Sequence, residues 1–150
     1  MTSFAIYPFS FGNLRIGVAD GLIVSIQKTN ATEPGECTPL TERANAQLTE
    51  YLAGKRQKFD LPYRFHGTAF QEEVWHALEQ IPYGTTRTCQ EIATSIHRPK
   101  AVRAVGSAIG KNPLLIVVPC HRVLGANGRL TGYAGGLAMK KDLLKIEANS

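Results

Sequence analysis

The stretch that decides the fold is LLIVVPCHRV, residues 114–123, in which an apolar run leads through a proline to a cysteine, a histidine and an arginine. The apolar run, residues 114–118, predicts a buried strand ending at Pro119, so Cys120 is expected at the rim of the core. A cysteine is nucleophilic as its thiolate, and a neighbouring histidine or cation lowers the cost of that anion. The stretch therefore predicts a reactive thiol; the alternative is a core cysteine beside a surface histidine.

The chain is 150 residues long, which is enough for one compact unit or two small lobes with a buried core. No apolar run approaches the roughly 20 residues that span a membrane, and the N-terminus lacks the basic and apolar regions of a secretory signal. The three cysteines, Cys37, Cys89 and Cys120, are widely spaced and form no C-x-x-C pair. This usage predicts neither a disulfide framework nor a metal site, and it favours the reducing cytoplasm.

The formal net charge is +5, and most of the excess lies in the second half of the chain. From Arg87 to Arg129 there are seven basic residues and a single acidic one, Glu91. A basic stretch of this kind suits a polyanion such as nucleic acid. The alternative is an ordinary solvated face, which charge alone does not exclude.

Residues 1–62 are predicted to form a small antiparallel sheet with one helix. Alternating apolar residues indicate the strands, which are residues 3–9, 12–19 and 21–28. Thr38-Pro39 is typical of a helix start, and the apolar stripe that follows ends at Gly54. Residues 55–62 have no periodicity and are predicted to be a linker. No residue of this lobe is predicted to carry chemistry.

Residues 63–150 are predicted to be mainly helical. Capping boxes starting at Thr68 and at Thr88 each predict a helix, and a third helix is expected to start at Pro99 and end at Gly110. The second and third helices are short and joined by a tight turn. In this they resemble a helix-turn-helix.

Asn127-Gly128 is a two-residue turn signal between residues 123–124 and 129–130. It predicts a hairpin after the helix pair, in the place of a wing. A loop of small residues and a last helix starting near Leu137 complete the chain.

Several short motifs of the second lobe occur together. They are Phe70-Gln71, Val74-Trp75, Ile81-Pro82-Tyr83-Gly84, AVRAVG at 101–106, Asn112-Pro113, PCHRV at 119–123, and Gly132-Tyr133 followed by Gly135-Gly136-Leu137. In this order they resemble the O6-alkylguanine-DNA alkyltransferases, also called methylated-DNA–protein-cysteine methyltransferases. The resemblance is densest from Phe70 to Glu147, whereas the first lobe matches in general character only.

The resemblance implies an α+β fold with a ribonuclease H-like lobe, residues 1–62, and a winged helix-turn-helix domain, residues 63–150. It also implies direct DNA repair without a cofactor. An alkyl group would pass irreversibly from O6-alkylguanine, or from O4-alkylthymine, to Cys120, once per molecule. In the family's mechanism His121 is the base, acting through a water molecule, and Glu147 holds its imidazole.

The implied partner is double-stranded DNA, bound by a monomer, with the damaged nucleotide turned out of the stack. Arg103 would fill the gap that the nucleotide leaves, and Asn112 would be the hinge between this helix and the active site. The other residues implied at the DNA are Thr88, Cys89, Ala101, Val102, Ala104, Gly106 and Arg122. The residues implied around the base are Val118, Val123, Tyr133, Ala134 and Gly135.

Two positions depart from the family's pattern. Cys89 stands where the family usually has a tyrosine that assists flipping, and a thiol is shorter and a weaker hydrogen-bond donor. This change therefore bears on flipping efficiency or substrate range. Ala134 stands where some relatives have a serine that binds O6, so only its backbone N–H is available here.

Three other functions are weighed against alkyl transfer. A non-catalytic sensor of alkylated DNA would bind and flip the lesion, but such proteins lack the acceptor cysteine that Cys120 supplies. A cysteine hydrolase would pair Cys120 with His121, yet neighbours on an extended segment point to opposite sides. A helix-turn-helix regulator without enzymatic activity would not need the PCHRV motif at residues 119–123.

Overall fold

The computed structural model describes residues 2–130 and 132–149, and it combines a small sheet with five helices in that part of the chain. Strands β1 (Ser3–Phe9), β2 (Gly12–Ala19) and β3 (Leu22–Thr29) form an antiparallel sheet in the order β1-β2-β3. Leu14 and Ile16 alternate with more exposed neighbours and are fully buried. The three predicted strands are confirmed, the third displaced by one residue.

Helix α1 (Pro39–Leu52) begins as the sequence predicts. The Thr38 side chain accepts a hydrogen bond from the Thr41 backbone N–H, and the Thr41 side chain accepts one from the Thr38 backbone N–H. This reciprocal cap satisfies two donors that the first helical turn leaves free. The buried face of α1 includes Leu48 and Tyr51, which therefore point into the protein.

The helical lobe contains α2 (Ala69–Glu79), α3 (Cys89–Ser95), α4 (Val102–Gly110) and α5 (Leu137–Ala148). The capping boxes at Thr68 and Thr88 are confirmed. The predicted start of the third helix at Pro99 is wrong, because residues 99–100 form a turn and Ala101 is the N-cap of α4. Trp75 donates its indole N–H to the Ala108 carbonyl over 2.8 Å, which ties α2 to α4.

The predicted strand at residues 114–118 is wrong, although the run is buried as expected. Leu114 forms a single bridge to Ile26, and the chain then turns through Ile116 at a φ of 72°. The Asn112 side chain bonds to the backbone of Leu114 and of Val118. Side-chain and turn hydrogen bonds thus replace a partner strand, and a short apolar run alone does not separate these cases.

The segment that carries the thiol is a 3₁₀ turn, Cys120–Arg122, and not an extended strand end. The opposite-sides argument against a Cys120–His121 pair therefore does not hold. Strand β5 (Val123–Leu124) follows and pairs in parallel with β4 (Arg87–Thr88). In sequence, Cys120 thus lies between the buried turn at residues 114–118 and strand β5 of the β4–β5 pair.

The predicted wing hairpin between residues 123–124 and 129–130 is not formed as a two-stranded ladder. Asn127 and Gly128 have φ values of 61° and 74°, as a tight hairpin turn requires. One close bond, from Gly125 N to Arg129 O over 2.7 Å, crosses the turn. Residues 123–124 pair with β4 instead, so the turn is confirmed and the hairpin is wrong.

The two parts of the chain share backbone hydrogen bonds and one core. Ile26 N donates to Pro113 O over 2.8 Å, and Leu115 N donates to Ile26 O over 3.1 Å. The edge of the sheet is therefore joined to the segment that precedes Cys120. Among the described residues, no helix is both long and apolar enough to cross a bilayer.

Candidate active site

Cys120 is buried at the start of the 3₁₀ turn, with 3% of its surface exposed. Burial raises the pKa of its thiol to about 11, while a hydrogen bond from Asn112 and the charge of Lys140 act in the opposite direction. The sulfur of the free protein is therefore a thiol at neutral pH. The expectation that its neighbours ionise it is wrong for this resting state, so a base would have to take the proton before this sulfur could act as a nucleophile.

We expect Cys120 to react slowly with iodoacetamide at neutral pH. A thiolate fraction set by a pKa of about 11 is roughly 100-fold smaller than that of an ordinary thiol, and the rate should rise with pH up to that value. Labelling followed by peptide mass spectrometry measures this, with exposed Cys37 as internal reference. Faster labelling of Cys120 than of Cys37 at neutral pH would contradict the burial argument.

His121 follows the thiol and is fully buried against Glu147. Its Nε2 lies 2.7 Å from Glu147 Oε2, and since a carboxylate only accepts, Nε2 carries the hydrogen. Nδ1 is buried and has no hydrogen-bond partner among the described residues. Burial lowers the pKa of His121 while the bond to Glu147 opposes the change. The site therefore holds a neutral imidazole with Nδ1 as its basic atom.

Glu147 reaches this position from the last turn of α5 and is held by several donors. Arg122 donates through Nε to Oε1 over 2.8 Å and through Nη2 to Oε2 over 2.9 Å. Gly84, whose φ of 77° suits glycine, donates its backbone N–H to Oε1 over 3.1 Å. Burial alone would raise the pKa of Glu147, but hydrogen bonds from His121 and Arg122 outweigh it and hold the value at about 2. The carboxylate is ionised at any physiological pH.

Arg122 is placed in the interior, which contradicts its prediction as a DNA contact. Its side chain is 8% exposed, and besides Glu147 it donates through Nη1 to the Ile81 carbonyl over 2.7 Å. Its guanidinium also lies 5.5 Å from the ring centre of Tyr83. The forked geometry of arginine is used here to clamp a carboxylate.

Asn112 stands between the C-terminal end of α4 and the turn that carries the thiol. Its side-chain N–H donates to the Val118 carbonyl over 3.0 Å, and its Oδ1 accepts from Leu114 N over 3.0 Å. The residue is buried, so these bonds are shielded from water. The structure thus connects α4 to the backbone just before Cys120 through one side chain.

Sequence reasoning missed two buried polar side chains at this site. Tyr51 comes from α1, the lobe predicted to carry no chemistry, and its hydroxyl contacts both His121 and Glu147. Lys140 of α5 is 1% exposed and donates to the Val123 carbonyl over 2.6 Å. Lys140 and Glu147 lie seven residues apart, two turns along the buried face of α5. Because this spacing places both residues on one face of a helix, the sequence could have indicated that Lys140 is near the site. Tyr51 occupies an ordinary core position of α1 and gives no such signal.

Apart from Arg122, the residues predicted at the DNA lie on α3 and α4 or cap their N-termini. Arg103 and Ala104 are exposed, and Gly106 has free space where a side chain would stand. At 1.5 Å per residue, Arg103 is about 10 Å from the C-terminal end of α4 at Gly110, two residues before Asn112. The remaining residues of this group are half-buried: Thr88, Cys89, Ala101 and Val102.

The residues predicted around the base differ in exposure in the resting structure. Val118 and Val123 are buried, and the hydroxyl of Tyr133 is buried without a partner among the described residues. At Gly135 a Cβ would stand 2.3 Å from Met139 Sδ, so a larger residue there would force the Met139 side chain to move. Exposed Ala134 lines a cavity of about 350 Å³, of which Cys120 is not a wall.

These contacts place a buried cysteine next in sequence to a histidine that is bonded to a carboxylate, beside a helix pair that exposes an arginine. A family model described as the DNA-binding domain of 6-O-methylguanine DNA methyltransferase matches residues 69–149. The chain belongs to the methylated-DNA–protein-cysteine methyltransferase family.

Named relatives extend the match. The inducible methylated-DNA–protein-cysteine methyltransferase of Bacillus subtilis is 57% identical over 101 residues, which is 67% of this chain and 56% of that relative's length. The methyltransferase of Mycolicibacterium paratuberculosis is 45% identical over 142 residues, covering 91% of this chain and 86% of the relative. The similarity thus includes most of the first lobe.

Solved structures show the same fold. The crystal structure of Mycobacterium tuberculosis O6-methylguanine methyltransferase superposes with a TM-score of 0.90 at 39% identity, over 99% of this chain and 94% of that one. A structure of the M. tuberculosis protein in complex with DNA gives a TM-score of 0.88 at 41% identity, over 97% and 92% of the two chains.

Proposed function

We propose that this chain repairs alkylated DNA by moving an alkyl group from O6 of guanine to Cys120, irreversibly and once per molecule. The observation that carries the proposal is the connected order of the site, in which the thiol is followed by His121 and His121 is bonded to ionised Glu147. This is the nucleophile, base and orienter that an activated thiol needs.

The reaction balances without a cofactor. Cys120 Sγ forms a bond to the alkyl carbon while the carbon–oxygen bond breaks, and its electron pair stays with guanine O6. The thiol proton passes to His121 Nδ1 through a water molecule, and the guanine that leaves takes up a proton. A thioether is not hydrolysed under ordinary conditions, so the chain is consumed.

The side chains around the thiol have distinct roles in this scheme. Glu147 stabilises the imidazolium that forms on His121, and Arg122 keeps Glu147 ionised. The charge of Lys140 favours the thiolate, and the Asn112 hydrogen bond does the same. Burial keeps the resting sulfur in its thiol form, which reacts poorly with other electrophiles. The thiolate forms only when His121 takes up the proton.

The proposed partner is double-stranded DNA, bound by a monomer in the cytoplasm. Helices α3 and α4 would act as a helix-turn-helix, the turn at 126–128 would stand beside it, and the sheet lobe, residues 1–62, would be ribonuclease H-like. Turning a nucleotide out of the stack costs a few kcal/mol, and exposed Arg103 would fill the gap. Of the implied substrates, O6-alkylguanine is proposed as the main one and O4-alkylthymine as the second.

We expect Arg103→Ala to reduce the transfer rate on duplex DNA by about tenfold or more and to leave the reaction with free O6-methylguanine nearly unchanged. The reason is that only the duplex needs a side chain in the gap. Single-turnover kinetics on both substrates measure the difference. The control is Lys100→Ala, which removes an exposed cation before α4 and should mainly weaken the salt-dependent part of binding. Equal losses on both substrates would contradict the role of Arg103.

The proposed function is tested by the stoichiometry of repair. Duplex DNA with O6-methylguanine is mixed with the chain at several ratios, and the remaining lesion is counted after the reaction stops. One lesion removed per molecule supports single-turnover transfer. Continued turnover indicates a hydrolase, and tight binding with no lesion removed indicates a sensor.

A further inference from the structure

The hydroxyl of Tyr51 lies inside the active site although the residue belongs to the sheet lobe. The side chain is fully buried. Its hydroxyl donates to Glu147 Oε2, and its oxygen is 3.2 Å from His121 Nε2. The reaction scheme above makes no use of this group.

We propose that Tyr51 is a positioning residue for alkyl transfer, which shares Glu147 with His121 so that the imidazole stays neutral and its Nδ1 stays free of hydrogen. The inference rests on the proposed function, because it assigns a role within that reaction. It also makes the first lobe a part of the catalytic machinery.

The hydrogen bonds on Glu147 support this role. Oε2 accepts from Tyr51, from His121 and from Arg122 Nη2, while Oε1 accepts from Arg122 Nε and Gly84 N. A carboxylate offers about four lone-pair sites, so its capacity is filled. Each added donor weakens the attraction that Glu147 exerts on the proton of His121.

The phenol of Tyr51 acts as a neutral donor. Burial raises its pKa well above the ordinary value, and the hydrogen bond to Glu147 acts in the same direction. The hydroxyl therefore keeps its hydrogen and directs it at Oε2. Its oxygen remains a second acceptor for the Nε2–H of His121, and the two contacts together fix the plane of the imidazole.

The ring of Tyr51 packs against other aromatic side chains, and these contacts do not involve the hydroxyl. Its centre lies 5.4 Å from that of Phe59 and 6.1 Å from that of Tyr83, the second at an interplanar angle of 85°. A phenylalanine at this position keeps both contacts. Tyr51→Phe therefore removes the hydrogen bonds and leaves the core filled.

The charged and titratable groups around His121 decide the direction of the effect. Glu147 and Lys140 face it from α5, Arg122 and Cys120 belong to its own turn, and Tyr51 faces it from α1. Lys140 and Arg122 disfavour the imidazolium, and Glu147 favours it. Without the Tyr51 hydroxyl, Glu147 attracts the proton of His121 more strongly. The pKa of His121 therefore rises, and the imidazole stays protonated up to a higher pH.

The matched control is Tyr63, whose hydroxyl also donates to a carboxylate, but to that of Glu79 and not to that of Glu147. Tyr63→Phe removes a bond of the same kind. The rate of methyl transfer is measured under single-turnover conditions across about pH 5 to 8, the range in which histidine titrates. Thermal unfolding of each variant shows how much folded protein is present.

We expect Tyr51→Phe to move the acid limb of the pH–rate profile upward by about half a unit or more and to lower the rate at neutral pH, while Tyr63→Phe leaves the limb in place. A Tyr51→Phe profile that is merely scaled down, with its limb unmoved, would overturn the proposal in favour of a structural role. An NMR titration of His121 in both proteins decides the same point without transfer. If the wild-type chain transfers no methyl group, the proposed function fails, and the NMR shift still shows whether Tyr51 controls His121.

Discussion

Cys120→Ala is expected to abolish methyl transfer and to leave binding to duplex DNA largely intact. The sulfur is the only atom of the proposed scheme that bonds to the alkyl carbon, and Cys120 is the cysteine whose chain neighbour, His121, is bonded to Glu147. The residues proposed to face DNA are carried mainly by α3 and α4, so removing a buried sulfur should leave them in place. Transfer from labelled DNA and fluorescence anisotropy of the same duplex measure the two properties.

The controls for this prediction are the two other cysteines. Cys37→Ala changes an exposed loop residue, and Cys89→Ala removes a half-buried thiol at the start of α3. Both variants should still accept one methyl group per molecule. Transfer that persists in Cys120→Ala and disappears in Cys89→Ala would identify the wrong acceptor and refute the assignment.

Arg122→Ala is expected to lower the free energy of unfolding by about 3 to 5 kcal/mol, because it leaves the buried carboxylate of Glu147 without its cation. For a chain of this length the melting temperature should fall by roughly 10 °C. Calorimetry or circular dichroism measures the change. The control is Arg98→Ala, which breaks a surface pair with Glu73 whose side chains are 51% and 39% exposed, and which should cost less than about 1 kcal/mol.

The same pair predicts a dependence of stability on pH. The pKa of Glu147 is lowered from 4.5 to about 2 by folding, so its contribution is present above the unfolded value and is lost as the pH falls through the folded one. In Arg122→Ala the folded pKa should rise toward the unfolded value, so the loss of stability on acidification should be smaller and should be complete at higher pH. Equal stability of Arg122→Ala and Arg98→Ala would contradict the clamp assigned to Arg122.

Much of the fold follows from local signals in the sequence. The strands of the sheet follow from alternation, and three of the helix starts follow from the side chains of Thr38, Thr68 and Thr88, which cap them in the structure. These signals act within four residues, so the sequence displays them directly. The conformation of residues 114–118 does not follow from local signals, because Asn112 supplies hydrogen bonds that a neighbouring strand would otherwise provide.

The candidate site was predictable only where a motif marks it. Cys120, His121 and Glu147 follow from the family resemblance, and the structure brings His121 and Glu147 together. The hydroxyl of Tyr51 meets partners 70 and 96 residues away, and nothing local separates it from a core tyrosine. Arg122 lies in a basic stretch, so the sequence predicts a surface cation. Its burial beside Glu147 is visible only in the structure.

The most direct test of alkyl transfer to Cys120 is peptide mapping by mass spectrometry after reaction with a duplex that contains O6-methylguanine. Alkyl transfer predicts one added methyl group on the peptide that carries Cys120, rising to one per chain and no further. A peptide that stays unmodified while the lesion disappears from the DNA, or a methyl group found on another residue, would contradict it.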